Sequence, residues 1–388
     1  MENNKKTITI MSSIVIKEVK TKKDLDRFIQ FNYDLYKNHP YAVPELYMDL
    51  KGMFNPKKNP ALRFCDAQPF IALRDDKVVG RIVGIINTRA NETWNIKTAR
   101  FGWIDFIDDI EVSRALIDAV SEWGRKKGMD SLQGPMGFTD MDREGMLIEG
   151  FDKQGTMSTY YNYPYYPEHM EKLGLEKEID WVERYVLYPD KMPEKYERIS
   201  QIAAKRSNLR IFKLTNMKQL REGGWGKKLF ELINASYAPL FGYSKLDDEQ
   251  IKQLVDTYLP MIDLKMQSLI LNDKDELVGC GLCMPSIVKA LQKSGGKLFP
   301  FGWYHLLKSL KWKHEDGVEL LLVAVHPDYQ GKGVNALIFY DLIPIFGEMG
   351  FKWAETNPQL ETNYQSQAQW DYLPNKVIKK RRCYKKAL

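Results

Sequence analysis

Seven consecutive residues in the C-terminal quarter of the chain have the composition of a phosphate-binding loop. They are Gln330, Gly331, Lys332, Gly333, Val334, Asn335 and Ala336, and they follow the apolar run of residues 321–325. Backbone N–H groups at the start of a helix are unpaired and converge on one point, where the helix dipole also favours negative charge. Glycines let a ligand approach the backbone, and Lys332 adds positive charge. The pattern predicts a strand, a turn and a helix that bind a diphosphate.

The loop resembles the Gln/Arg-x-x-Gly-x-Gly/Ala motif of the GNAT superfamily of acyl-CoA N-acyltransferases. Gln330 and Gly333 occupy their motif positions, and residues 325–327 supply the Val-x-Pro that precedes the motif. Asn335 stands where glycine or alanine is usual, but asparagine tolerates unusual backbone angles better than most residues. The resemblance implies that acetyl-CoA, or another acyl-CoA, is the co-substrate, and it implies no metal ion.

The resemblance also implies roles for the strand before the loop. The pantetheine arm of CoA is expected to pair with the backbone of Leu322, Val323, Ala324 and Val325. Glu319 begins the same strand, eleven residues before Gln330, which is the spacing of the general base in histone-acetylating members. Such a base takes a proton from the ammonium group, directly or through water, before the amine attacks the thioester. The alternative is an ordinary glutamate at an exposed strand start.

A general acid that protonates the leaving thiolate is implied after the next strand. Asn363 matches the asparagine that starts a helix there and is expected to belong to the cofactor site. Trp370 then occupies the usual place of the tyrosine, so Tyr372 is the nearest substitute and Tyr384 is a second candidate. The alternative is that these aromatic residues are core.

A weak internal repeat organises the chain. Residues 70–86 and 268–283 each have the pattern of strand, acidic turn and strand, and Gly80 and Gly279 both follow a valine in the second strand. A strand and a helix precede each hairpin, and another strand and an amphipathic helix follow it. The repeat predicts an α/β fold with mixed sheets and two tandem acyl-CoA N-acyltransferase-like domains, residues 1–190 and 191–388, joined near residues 189–193.

The two halves differ at the loop. Where the second half has glycines, the first half has Asp108, Asp109 and Glu111. Carboxylates at a helix start complement the dipole, so they cap the helix well and bind an anion poorly. The first half is therefore predicted to be a degenerate GNAT-like domain with a substrate-binding or structural role. Residues 134–138 and the tyrosine-rich residues 160–166 are expected to be loops that line a substrate cleft or pack in an interface.

Composition restricts the class of protein. A net charge of +6 suits an anionic small ligand and does not indicate nucleic acid. Seven lysines and arginines in residues 376–386 predict a solvated terminal strand or tail, with nucleic-acid or lipid contact as the alternative. Residues 1–12 lack the apolar core of a secretory signal and are expected to be frayed. No apolar run is long enough to span a bilayer.

The cysteines and histidines indicate neither a disulfide framework nor a zinc site. The four cysteines are scattered, which favours a reducing cytoplasm. Cys280 and Cys283 lie inside a predicted strand and are expected to be core residues. The five histidines lack zinc-ligand spacing.

These features together predict an N-acyltransferase that moves an acetyl group from acetyl-CoA to a primary amine of a small molecule or peptide. The whole chain is similar to bacterial proteins with two GNAT-like domains. A Fem-like aminoacyltransferase and a non-catalytic CoA-binding or interaction module are the alternatives. The acceptor, the acyl length and the oligomeric state stay open.

Overall fold

The computed structural model describes residues 13–189, 191–258 and 261–388. The predictions for residues 1–12 and for Asp190 at the domain junction lie outside the described residues. The strands are β1 (Val15–Glu18), β2 (Cys65–Arg74), β3 (Lys77–Asn87), β4 (Thr98–Phe106), β5 (Ser131–Gly134), β6 (Met146–Glu149), β7 (Glu176–Leu187), β8 (Arg210–Phe212), β9 (Gln267–Leu271), β10 (Leu277–Pro285), β11 (Gly317–Val325), β12 (Trp353–Thr356), β13 (Gln359–Leu360) and β14 (Asn375–Ala387).

The helices alternate with these strands along the chain. They are α1 (Lys22–Leu35), α2 (Tyr47–Met53), α3 (Thr88–Trp94), α4 (Ile110–Lys126), α5 (Tyr165–Lys172), α6 (Glu194–Arg206), α7 (Met217–Glu222), α8 (Trp225–Tyr237), α9 (Asp248–Tyr258), α10 (Val288–Ser294), α11 (Gly302–Leu307), α12 (Val334–Glu348) and α13 (Tyr364–Ala368). No described helix is long and apolar enough to cross a membrane.

One mixed sheet runs through both halves of the molecule. Its order is β1-β2-β3-β4-β5-β14-β7-β12-β11-β10-β9-β8, with β6 paired to β14 and β13 paired to β7. The pairs β4/β5 and β11/β12 are parallel, and the other pairs are antiparallel. The predicted α/β class with mixed sheets is confirmed.

The predicted hairpins and helices form in both halves. β2 and β3 join through Asp75 and Asp76, which have φ angles of 48° and 59°. The repeated glycines explain how closely a helix packs on each hairpin. A Cβ atom on Gly80 would lie 2.9 Å from Val112 Cγ1 of α4, and one on Gly279 would lie 2.4 Å from Val334 Cγ1 of α12. Glycine at these positions lets each helix pack closely on the second strand of its hairpin.

The two halves exchange their last strands. β7, from the first half, lies beside β12 of the second half, and β14, from the second half, lies beside β5 of the first. Strand pairing therefore does not stop at residue 190, and the predicted division into domains at that residue stays a prediction.

The exchange places the basic C-terminal run inside the sheet. Lys379 and Arg381 on β14 are each 1% exposed and face buried carboxylates. The prediction of a solvated terminal strand or tail holds only in part, because β14 is a central strand and two of its seven cations, Lys379 and Arg381, are buried. All four cysteines are free and buried, which confirms the expectation of core cysteines.

Candidate active site

Strands β11 and β12 run together and then separate. They are paired from Gly317 with Trp353 as far as Leu320 with Thr356. Past this point Asn357 Nδ2 donates a hydrogen bond of 2.7 Å to the Leu321 carbonyl, and β11 continues to Val325 beside a gap. Four of the five residues of β11 along this gap, all except Ala324, are half-buried, although the strand lies in the middle of the sheet.

A cavity of about 930 Å³ opens at this gap. One wall is the stretch of β11 from Leu320 to Val325, and another comes from residues 356–360 after β12. The first half supplies further wall residues, from the segments around residues 45–53 and 140–144. The cavity therefore lies between the two halves and needs both of them.

The predicted loop stands at one end of the cavity. Gly331 and Gly333 have φ angles of 71° and 84°, in the left-handed region that favours glycine, and α12 begins directly afterwards at Val334. A Cβ atom on Gly331 would meet nothing within 4 Å, so the backbone there is open to a ligand. Gln330 lines the cavity, and its Nε2 donates a hydrogen bond of 3.2 Å to the Val325 carbonyl. This geometry suits a diphosphate at the helix start.

The unusual residue of the loop lines the cavity and has a buried oxygen without a hydrogen-bond partner. Asn335 Nδ2 donates a hydrogen bond of 3.3 Å to Gln369 Oε1, while Asn335 Oδ1 is buried without a partner. Such an atom is costly unless a ligand or water donates to it. Asn363, the predicted helix-start residue, also lines the cavity and caps α13 by accepting a hydrogen bond of 3.1 Å from the Ser366 N–H.

The open side of β11 exposes alternate backbone groups. The His326 N–H donates to Val278 of β10, so by alternation the groups of Val323 and Val325 point away from β10, towards the gap. Their carbonyls accept hydrogen bonds of 3.1 Å from the Tyr237 hydroxyl and 2.9 Å from the Ser236 hydroxyl, both on α8. A carbonyl has two lone pairs and can accept from a ligand as well.

Glu319 is buried rather than exposed. It is 1% exposed, and its carboxylate accepts hydrogen bonds of 3.3 Å from the Met157 N–H and 3.4 Å from the Ser286 hydroxyl. Burial, and then the neighbouring Glu355 carboxylate, raise the pKa of Glu319 to about 8. Met157 and Leu320 line the cavity, whereas Glu319 itself is behind this wall. The sequence alternative of an ordinary exposed glutamate does not hold.

A buried network of charges lies next to Glu319. Glu183 on β7 contacts Lys379 at 3.0 Å and Arg381 at 2.5 Å, and Glu355 on β12 also contacts Lys379. Burial raises the pKa of Glu355 to about 7, against the opposing effect of Lys379. The network connects the exchanged strands to β12 and sets the charge environment of Glu319.

Comparison with known proteins agrees with this geometry. No family model matches the chain. A tandem GNAT protein from the clavulanic acid biosynthesis pathway matches 97% of this chain and 98% of its own chain, at a TM-score of 0.55 and 12% identity. A GCN5-related N-acetyltransferase from Sphaerobacter thermophilus matches 96% of this chain and 95% of that chain, at a TM-score of 0.51 and 10% identity. The chain has the tandem GNAT fold.

Two curated proteins are similar in sequence over nearly the whole length. Protein YghO of Escherichia coli is 28% identical over 384 residues, covering 95% of this chain and 94% of that protein. A protein named bacterial ceramide synthase, from Caulobacter vibrioides, is 26% identical over 378 residues, covering 95% of this chain and 96% of that protein.

The fold does not bring the predicted tyrosines to Glu319. Tyr372 is on the surface beneath Lys195, whose Nζ lies 3.8 Å from the ring centroid. Tyr384 is fully buried on β14 in the core of the first half, in register with Gly134. Neither tyrosine lines the cavity. Their role as general acid stays an untested prediction, without support from their position.

Three carboxylates on the cavity wall were missed by the sequence reasoning. Asp140, Asp142 and Glu144 come from the first half and are half-buried on the wall. Burial raises the pKa of Asp140 to about 7, that of Asp142 to about 6 and that of Glu144 well above its ordinary value. The alternation of acidic residues directly after a glycine-rich turn is the signal that could have indicated them. Of the predicted tyrosine-rich loop, Tyr160 reaches this cavity.

The corresponding gap in the first half is closed. β4 and β5 also separate after a short parallel pairing, but the Met136 N–H donates a hydrogen bond of 2.8 Å to the Phe101 carbonyl and the chain fills the space. All nine residues of β4 are buried. At the start of α4, Asp109 accepts a hydrogen bond of 2.9 Å from the Glu111 N–H, which confirms the predicted acidic cap.

Proposed function

We propose that this protein transfers an acyl group from an acyl-CoA to a primary amine in the cavity between its two halves. The observation that carries the proposal is the open side of β11 leading directly to the glycine loop at the start of α12. The diphosphate of CoA would bind at residues 330–336. The pantetheine arm would pair with the backbone of residues 322–325, chiefly at Val323 and Val325, because their groups face the gap.

Glu319 would remove the proton from the incoming ammonium group. Because Met157 and Leu320 separate it from the cavity, proton transfer would pass through a water molecule or follow a small movement of Met157. A pKa of about 8 keeps much of Glu319 protonated at pH 7, so its capacity as a base increases through pH 8. The N–H group of Val323 or Val325 would stabilise the tetrahedral oxyanion.

The leaving thiolate needs a proton, and Tyr237 is a better placed donor than the tyrosines predicted from the sequence. Its hydroxyl is at the cavity wall, on the Val323 carbonyl. Burial raises the pKa of Tyr237, so the hydroxyl keeps its proton over the working pH range.

The acceptor amine would be held by Asp140, Asp142 and Glu144. Three carboxylates on one wall attract an ammonium group, and a bound cation would lower the raised pKa values of these groups. The buried Oε2 atom of Glu144 has no hydrogen-bond partner, so an acceptor amine that reached it would satisfy it.

Calorimetry and a thioester assay test the proposal together. Acetyl-CoA and longer acyl-CoAs are titrated into the protein, and free thiol is then followed with a panel of primary amines. If millimolar acyl-CoA produced no heat and no thermal shift, acyl-CoA binding would be refuted. Binding without thioester loss for any amine would instead establish the non-catalytic module. A requirement for charged tRNA would establish the Fem-like alternative.

A second candidate function, favoured by the apolar part of the cavity wall, is the transfer of a long acyl chain to a lipid amine. Much of the wall is apolar, with Met53, Leu254, Met261 and Ile287 among the lining residues. The cavity volume of about 930 Å³ is near the upper end of the range for ligand cavities. The relative named bacterial ceramide synthase points to the same chemistry, with a sphingoid base as the acceptor.

Competition between acyl chains distinguishes the two candidates. With sphinganine as acceptor, kcat/KM is measured for acetyl-CoA and palmitoyl-CoA in the native protein and in Ile287→Phe, which fills the apolar wall. A long-chain enzyme prefers palmitoyl-CoA, and Ile287→Phe reduces that preference at least tenfold. Equal or better use of acetyl-CoA, unchanged by Ile287→Phe, would favour the acetyltransferase predicted from the sequence.

A further inference from the structure

The connection between β10 and β11 carries an unusual set of exposed aromatic residues. Phe299, Phe301 and Trp312 are 75%, 70% and 62% exposed. Trp303, Tyr304 and Leu307 on α11 are also exposed. Exposed apolar residues are ordinary when scattered, but six within fourteen consecutive positions form a patch that calls for a partner.

The segment is folded, because its other face is buried. Leu306 and Leu310 pack into a core cluster with Ile287 and Leu291, which also line the cavity. The aromatic side chains are therefore held outward by a packed helix. The same cluster connects the patch to the wall of the proposed acyl site.

The patch is surrounded by positive charge. Residues 293–314 contain five lysines and no carboxylate, and all five lysines are exposed: Lys293, Lys297, Lys308, Lys311 and Lys313. The two carboxylates that follow have other partners. Glu315 accepts hydrogen bonds from the N–H groups of Lys289 and Ala290, and Asp316 pairs with Lys352 at 3.3 Å. No ion pair joins any of the five lysines to a carboxylate within the described residues.

We propose that this aromatic–lysine surface, the six exposed apolar residues and the five lysines named above, docks the protein on an anionic lipid bilayer. Tryptophan and tyrosine rings favour the boundary between headgroups and acyl chains, and phenylalanine inserts below it. Lysines beside such rings contact anionic headgroups. A protein partner fits less well, because lysine is depleted in the interior of protein–protein interfaces.

Docking would place the cavity beside the membrane. The cluster of Leu306, Leu310, Ile287 and Leu291 reaches from the docked face to the cavity wall, so an apolar substrate would have a short path between them. The surface itself is independent of acyl transfer and is tested without any substrate. Failure of vesicle binding and failure of acyl transfer are therefore separate results.

Vesicle sedimentation tests the proposal with the full chain. Vesicles of phosphatidylcholine alone are compared with vesicles containing 30% phosphatidylglycerol, at about 0.1 M and 0.5 M salt. We expect binding to the anionic vesicles that weakens with salt. The combined change Phe299→Ser, Phe301→Ser and Trp312→Ser weakens this binding at least tenfold, and so does serine at Lys297, Lys308 and Lys313.

Matched substitutions elsewhere control for general surface effects. Ile96→Ser with Ile202→Ser removes exposed apolar residues outside the aromatic–lysine surface, and serine at Lys22, Lys23 and Lys97 removes exposed lysines of the first half. Both controls keep native vesicle binding, and thermal unfolding shows that every variant folds. Absence of binding to anionic vesicles, or equal binding by the aromatic variant, would overturn the proposal. So would a dimer, seen in sedimentation velocity, that the aromatic variant dissociates.

Discussion

Strands β4 and β11 separate from their neighbours at corresponding places in the two halves, with opposite results. In the first half the chain after β5 returns to the gap and bonds to Phe101. In the second half the chain after β12 turns away to pair with β7, and the gap becomes a cavity. The same sheet architecture therefore gives a filled core in the first half and an open cavity in the second.

Glycine placement accounts for the closed gap. A Cβ atom on Gly102 would lie 2.4 Å from the Met136 carbonyl oxygen, and one on Gly134 would lie 2.2 Å from the Phe101 carbonyl oxygen. In the first half, the backbone of residues 134–136 therefore occupies the gap that would otherwise be open to a ligand. The second half has leucines at residues 320–322 and keeps the strand separate from the following chain.

The strand registers also show which residue of β4 corresponds to Glu319 of β11. Gly80 pairs with Phe106 and Ile85 with Arg100, while Gly279 pairs with Val325 and Met284 with Glu319. Because Gly80 and Gly279 correspond, Arg100 is the counterpart of Glu319. A permanent cation cannot serve as a base, so the first half has no candidate base at the position that corresponds to Glu319.

The largest expected effect is at Glu319. Glu319→Gln keeps the shape of the side chain but cannot accept the amine proton, so kcat falls about a hundredfold to ten-thousandfold. The native rate increases through pH 8 as Glu319 ionises, and the variant loses this dependence. An amine of high pKa is used, because a substrate that arrives deprotonated would hide the effect.

Acyl-CoA affinity separates this role from a structural one. Calorimetry should give the same Kd for Glu319→Gln and the native protein, since the loop and strand backbone hold the ligand. Glu315→Gln removes another carboxylate that accepts backbone N–H groups, outside the cavity, and should keep native turnover. Near-native kcat in Glu319→Gln would remove the base assignment and leave catalysis to positioning.

The closed gap is tested by Gly102→Ala. The added methyl group meets the Met136 carbonyl, so the filling segment must move, at a cost of about 1–3 kcal/mol in the free energy of unfolding. Urea denaturation measures this loss. Gly52→Ala, whose new Cβ would make an ordinary contact of 3.6 Å with Lys58, should not destabilise the protein. The acyl-CoA affinity of Gly102→Ala should equal that of the native protein, and a changed affinity would show that the first half binds the ligand.

The loop is tested by a pair of matched glycines. Gly331 in the loop and Gly128 after α4 have φ angles of 71° and 80°, and neither has an atom within 4 Å of its missing Cβ. Alanine at either position should lower stability equally, by about 1–2 kcal/mol, because the left-handed conformation is strained for L-residues. Gly331→Ala alone should also weaken acyl-CoA binding about tenfold. An equal effect on binding from Gly128→Ala would remove the loop assignment.

A pH dependence of stability is also expected. Folding raises the pKa of Glu319 from its ordinary range to about 8, so the folded state binds more protons than the unfolded state between about pH 4.5 and pH 8. Stability from this group is complete below that window and is lost as the pH rises through it, by at most about 1.4 kcal/mol per pH unit for each proton. Glu319→Gln should flatten this part of the curve. An unchanged slope would show that Glu319 ionises normally.

Local patterns determined several features of both halves directly from the sequence. The glycine loop, the strand before it and the helix after it follow from residues that are neighbours in the chain, as do both hairpins and the cap at Asp109. These features depend on turn chemistry, hydrophobic periodicity and helix-start preferences, which act over a few residues. For this reason the candidate CoA site was predicted before any tertiary contact was known.

Only the tertiary structure decided which distant residues meet at the site. Arg381 and Glu183 are 198 residues apart in sequence, and only the exchange of β7 and β14 brings them together. The same exchange buries Lys379 and Arg381 of the basic run that composition alone had predicted to be solvated, and it places Tyr384 in the core of the first half, away from the cavity. Asp140 reaches the cavity because the two halves enclose it jointly. Contacts between residues this distant depend on strand order, which local preferences do not encode.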